Sequence, residues 1–198
     1  MFVSEKNGFT LIELLVVAAI ITVLATITVM IVNPTEHLRK ARDTHRVADI
    51  NSLDTAINSV LYSNKRAVSL GTASTVYVSV PDISSTCANL NLPSLGVGWS
   101  YHCVASSTLA SIDGTGWIPI NFETYSQKII SALPIDPTNN ATSSLYYAYV
   151  INDPDFELDT WMESDSYNNG GAQDVVSTDG GNSTSTYEKG NDLTLYPL

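Results

Sequence analysis

From Phe9 to Val32 the chain carries one charged side chain, Glu13. A helix of that length, at about 1.5 Å per residue, reaches roughly 36 Å and crosses a bilayer core. Leu11, Ile12, Leu14, Leu15, Val16, Val17, Ile20, Ile21, Val23 and Leu24 leave it no polar face. Thr22, Thr26 and Thr28 do not break it, because a threonine hydroxyl can bond back to a carbonyl of its own helix. A cleaved secretory signal has a shorter apolar region, about 7–15 residues, followed by a small-x-small site. Here Ala18-Ala19 sits mid-run, so the span is expected to stay with the chain. In a plain membrane anchor Glu13 would be an accident. A carboxylate near hydrocarbon is costly, less so near the end of a span, and needs a partner or a proton.

Asn33-Pro34 follows, and proline predicts a kink or short break. Beyond it Leu38, Ala41, His45, Val47 or Ala48, Ile50, Leu53, Ile57 and Val60 or Leu61 recur at helical spacing. Arg39, Lys40, Arg42, Asp43, Arg46, Asp49 and Asp54 are expected on the other faces. The basic stripe reads as a solvated stalk face. His37 and His45 lack partners at ligand spacing.

The charge distribution separates this part from the rest. Of 198 residues, 9 are basic and 20 acidic, a net charge of -11. Residues 1–66 hold 7 of the basic and 6 of the acidic residues. Residues 67–198 hold only Lys128 and Lys189 against 14 acids. With 44% apolar residues the chain can build a core, which excludes a disordered acidic chain. The acidic balance gives no support to nucleic-acid binding, which needs a basic surface.

After residue 67 the pattern is short strands and turns. Val76–Val80, Trp99–Val104, Ile118–Phe122, Leu145–Ile151 and Phe156–Met162 are predicted strands, and Thr124–Leu133 a short helix. There is no phosphate-binding Gly loop, no His-Glu-x-x-His and no G-x-S-x-G. His102 adjoins Cys103, but neighbours on a strand point to opposite faces. The expectation is that the protein is not an enzyme.

The segment Gly8-Phe9-Thr10-Leu11-Ile12-Glu13-Leu14 resembles the processing motif of type IV prepilins and type II secretion pseudopilins. The resemblance implies cleavage between Gly8 and Phe9 by a membrane prepilin peptidase, then N-methylation of Phe9. It implies that Glu13 pairs with the Phe9 amine of a neighbouring subunit. Positions 9 and 13 also share one helix face, so the pair could form within one chain.

The implied organisation is a leader at 1–8, a transmembrane and filament-core helix at 9–32, an amphipathic stalk helix at 33–66, and an exported head at 67–198. The implied fold is α+β and pilin-like: a long N-terminal helix packed on a small antiparallel β-sheet head. Implied partners are identical or related pilin subunits in a helical filament, an inner-membrane assembly platform, and membrane lipid before assembly. The implied location is a single-pass inner membrane protein, head outside the cytoplasm, then an extracytoplasmic filament. The basic residues flanking the span conflict with this. Lys6 precedes it and Arg39, Lys40, Arg42 and Arg46 follow, a count that alone places the C-terminal part in the cytoplasm.

In an exported head Cys87 and Cys103 can form a disulfide; two buried thiols are the alternative. Leu133-Pro134-Ile135-Asp136-Pro137, then Tyr146-Tyr147-Ala148-Tyr149, is similar to a segment of major pseudopilins, although Thr138-Asn139-Asn140 replaces their usual Trp and Gly. The resemblance requires no cofactor. It suggests a calcium loop, because Thr178-Asp179-Gly180-Gly181 looks like the Asp-Gly element of major pseudopilins. Asp174, Asp179, Glu188 and Asp192 are the expected ligands. Asp153, Asp155, Glu157 and Asp159 form a rival set, read as charges that protect an edge strand.

Overall fold

The computed structural model describes residues 8–63, 69–124 and 130–197. Helix α1 spans Leu11–Val32 and helix α2 spans Pro34–Ser63. Asn33 interrupts them in the left-handed conformation (φ 42°) and caps α1 by donating its N–H to the Val29 carbonyl. Proline suits the first turn of a helix, where its missing N–H has no partner to lose. The expected break at Asn33-Pro34 is therefore a cap followed by a new start.

The chain divides into two compact units, Met1–Leu38 and Arg39–Leu198. In the first, every described side chain of α1 is exposed, from Leu11 at 82% to Val17 at 48%.

The second unit is built on a five-stranded sheet. Its strands are β1 (Thr75–Val78), β2 (Ser100–His102), β3 (Tyr147–Asn152), β4 (Asp155–Thr160) and β5 (Tyr187–Gly190). Their order is β2-β1-β3-β4-β5. The α+β architecture holds, but the sheet is mixed, not antiparallel throughout. β2 pairs with β1 in parallel, Val76 opposite Tyr101, while the other pairs are antiparallel. Residues 79–99 supply the crossover a parallel pair requires, roughly a dozen residues or more.

Both faces of the sheet are covered. On one, Ile50, Leu53 and Ile57 of α2 meet Tyr147, Tyr149 and Ile151 of β3 and Phe156 and Leu158 of β4. On the other, Val76, Val78, Tyr146, Ala148 and Val150 cluster with Cys87 and Cys103. Those cysteines form a disulfide with Cα atoms 5.3 Å apart.

Four expectations change. Ile118, Ile120 and Phe122 are buried, but the segment is not a strand; Pro119 removes a ladder N–H, and Asp113–Asn121 remains an isolated bridge. The helix expected at Thr124–Leu133 falls largely on 125–129, outside the described residues, and 130–133 is not helical. The strand carrying Glu157 and Asp159 is interior, between β3 and β5, not an edge. Asp43 and Arg46, expected on solvated faces, are fully buried.

Arg46 is the centre of an ion-pair network. Its Nε and Nη2 donate to the two oxygens of Asp136 at 2.6 and 3.0 Å. Its Nη1 donates to Asp43 at 2.7 Å and to Glu163 at 3.3 Å. Burial pulls the Arg46 guanidinium down, but bonding and attraction to Asp136, then Asp43, outweigh it and hold the group above its ordinary value. Asp43 in turn accepts the Ser164 N–H at 2.8 Å, and Arg42 pairs with Glu163 at 2.5 Å. The network joins α2 to the loop after Pro134 and to the chain leaving β4.

Candidate functional site

Two places concentrate unusual chemistry. The first is the start of α1. Thr10 is the N-cap, and its side chain accepts the Glu13 N–H at 3.3 Å. Glu13 reaches back, its Oε2 accepting the Thr10 N–H at 2.7 Å and the Thr10 hydroxyl at 2.8 Å. This reciprocal capping box satisfies two helix-end donors and fixes where the helix begins. Glu13 Oε1 takes no part in it. Phe9 is 84% exposed immediately before the cap, and Gly8 is exposed beside it. A Cβ added to Gly8 would meet nothing within 4 Å. The fold of the described residues therefore does not require glycine there.

The second place is on the sheet. Glu157 and Asp159 lie two apart on β4 and so share a face; Asp159 stands opposite Glu188 of β5. One carboxylate oxygen from each lies within 4.8 Å of the others. All three residues are buried, none more than 1% exposed. Glu157 Oε2 accepts the N–H groups of Leu195 and Tyr196 at 2.6 and 2.8 Å. Glu188 Oε2 accepts the Ser183 N–H at 2.9 Å. Glu157 Oε1 and both oxygens of Asp159 have no hydrogen-bond partner.

Burial, together with the Glu188 carboxyl beside it, pushes Glu157 up to about 8 against the pull of the two backbone donors. Burial, then the charges of Glu157 and Glu188, hold Asp159 well above the usual carboxylate range. Burial likewise raises the phenols of Tyr146 and Tyr196, and the charge of Asp159 adds to it.

The carboxylates expected to share an ion in the C-terminal loop are distributed differently. Asp174 accepts from the Gly170 N–H and from the Ser177 N–H and hydroxyl, which holds its carboxyl down at about 2, the Ser177 hydroxyl contributing most. Asp192 caps its own turn through Thr194. Asp179 accepts the Gly181 and Glu188 N–H groups. Of the expected set only Glu188 enters the cluster, joined by Glu157 and Asp159 from the rival set; Asp153 and Asp155 are not in it. No spacing rule links positions 157, 159 and 188. Only the β4–β5 register does.

No curated protein and no solved structure matches the chain. A family model, the prokaryotic N-terminal methylation motif, matches residues 4–29. That match covers Gly8, Phe9, the capping box and most of the exposed apolar helix. The chain thus carries, at its N-terminus, the signature of the type IV prepilins and pseudopilins.

Proposed function

We propose that this protein is a structural subunit of a type IV pilus-like filament, made as a prepilin, cleaved after Gly8 and N-methylated at Phe9. The observation that carries this reading is the conjunction at the head of α1. An exposed Gly-Phe junction with no local need for glycine precedes a capped helix whose described apolar side chains are all exposed. A prepilin peptidase needs an accessible junction, and a filament core needs an apolar helix free to pack.

In this reading the precursor sits in the cytoplasmic membrane through α1, with the head outside. Cleavage creates a positive amine on Phe9. Glu13 Oε2 is already held by Thr10, so Oε1 is the oxygen available to the amine of a neighbouring subunit. In apolar surroundings that pairing is strongly preferred to two separate charges. Moving α1 from lipid into a filament core gains little hydrophobic energy. Assembly therefore depends on packing, on the Phe9–Glu13 pair and on an external motor at the membrane platform.

A major pseudopilin of a type II secretion system is the second reading, favoured by the segment Pro134-Ile135-Asp136-Pro137, whose Asp136 anchors Arg46. Electron micrographs of the native host, with the chain labelled by antibody, test both. Long labelled surface filaments are expected; short periplasmic ones favour the secretion reading. A chain found solely as dispersed membrane protein contradicts both and supports a membrane-anchored binding module.

A further inference from the structure

Building on the prepilin reading, we propose that Thr10 is a positioning residue for leader removal. By capping α1 it keeps the Gly8–Phe9 bond in extended chain, the form a peptidase can attack.

Hydrolysis at this junction needs access to one peptide unit. The oxygen of a water bonds to the Gly8 carbonyl carbon, the bond from that carbon to the Phe9 nitrogen breaks, and the nitrogen takes up a proton to become an amine. Inside a helix the same carbonyl would be engaged by the N–H four residues on, with the next turn packed over it. The junction lies just before a helix of 22 residues. Adding a residue to an existing helix is easy, because only nucleation is costly. Something must stop α1 from growing back across Phe9 and Gly8.

The hydrogen bonds at the helix start show what does. A longer α1 would bond the Ile12 N–H to the Gly8 carbonyl and the Glu13 N–H to the Phe9 carbonyl. Instead the ladder begins with the Leu14 N–H donating to the Thr10 carbonyl at 3.3 Å. The Glu13 N–H donates to the Thr10 hydroxyl, also at 3.3 Å. Thr10 Oγ1 and the Phe9 carbonyl thus compete for one donor, and the hydroxyl holds it. Thr10 itself is extended, with φ -81° and ψ 152°, so the chain leaves the helical path there. Phe9 and Gly8 lie outside the helix and are exposed. The Glu13 carboxylate secures the other half of the box, at the Thr10 N–H, and does not compete for that donor. Gly8 works in the same direction, since glycine is, after proline, the residue least suited to a helix. The family match over residues 4–29 covers the junction and the cap together.

Capping can be separated from shape at this position. Thr10→Val keeps the shape and loses the acceptor oxygen. Thr10→Asn and Thr10→Asp change the shape and cap as well as threonine or better. A peptidase that touched the threonine itself would follow size and hydroxyl, not capping strength.

The test uses the full-length precursor, made in cells without the peptidase, held in detergent micelles and mixed with host membranes that carry it. Intact mass follows loss of the leader. Thr10→Val should be cleaved about fivefold more slowly, the scale of a lost cap. Thr10→Ser, Thr10→Asn and Thr10→Asp should be cleaved at the wild-type rate or faster. Carbon chemical shifts of Gly8 and Phe9 in the same micelles should be extended in wild type and in the capping variants, and move toward helical values in Thr10→Val. A contact between Thr10 and the peptidase would not move them. Cleavage of Thr10→Val at the wild-type rate overturns the proposal. So does slowing of Thr10→Asn and Thr10→Asp to the rate of Thr10→Val, or slow cleavage of Thr10→Val with unmoved shifts. Wild type left uncleaved by active peptidase would remove the prepilin reading itself, and this proposal with it.

Discussion

Arg46 grips Asp136 through two parallel hydrogen bonds, 90 residues apart in sequence and with both side chains fully buried. The same guanidinium holds Asp43 one helical turn back. Removing it would leave two buried carboxylates without their cation. Arg46→Met should therefore cost about 3–5 kcal/mol. Arg42→Met, at a side chain 33% exposed, should cost about 1 kcal/mol or less. Urea denaturation of the two full-length variants measures the difference; equal losses would contradict the central place given to Arg46.

The network also sets an acid response. Hydrogen bonding from Arg42, opposed by burial and reinforced by Arg46, holds the Glu163 carboxyl below its ordinary value of 4.5. A carboxyl depressed in the folded state adds stability that is complete above the unfolded value. That stability is lost as pH falls through the folded one. Thermal melts should show this contribution unchanged from neutral pH down to about 4.5, then falling. Glu163→Gln should remove that part of the acid slope. Identical slopes in variant and wild type would count against the pairing.

The Cys87–Cys103 bridge closes a loop with a sequence separation of 16 over the sheet face away from α2. A loop of this size is worth roughly 3 kcal/mol. The double variant Cys87→Ser, Cys103→Ser should lose about that much in equilibrium unfolding. An unchanged midpoint would mean the loop is held by its packing alone.

Much of this architecture was legible because it rests on local rules. The unbroken apolar run announced α1, Pro34 announced the restart, and the alternation at Val76–Val80 announced β1. Glu13 was legible as part of a motif, and its bond to Thr10 follows from capping chemistry. The buried sites were not, because they depend on contacts distant in sequence. Arg46 shares a helix with the less buried cations Arg39, Lys40 and Arg42 and differs from them through its buried pairing with Asp136 and Asp43. Glu188 lies in a polar tail, and the four-residue β5 around it, Tyr-Glu-Lys-Gly, has no strand pattern. Pairing with β4 makes it a strand and carries Glu188 to Asp159. The parallel β1–β2 pair was hidden for the same reason.

At the N-terminus, two substitutions separate folding from processing and assembly. Gly8→Phe places a bulky side chain in open space, so urea unfolding of the head should not change, while cleavage should stop. Glu13→Ala should leave membrane insertion and cleavage intact and reduce filament yield to background. Immunoblots for mobility and micrographs for filaments read the two steps. Normal filaments from Glu13→Ala would remove the proposed role of the Phe9–Glu13 pair.

The most direct test of the account is the intact mass of the chain extracted from membranes of its native host. The account predicts loss of residues 1–8 and gain of one methyl group, carried on Phe9. A chain still beginning at Met1, in a host with active prepilin peptidase, would contradict it and leave α1 a static anchor.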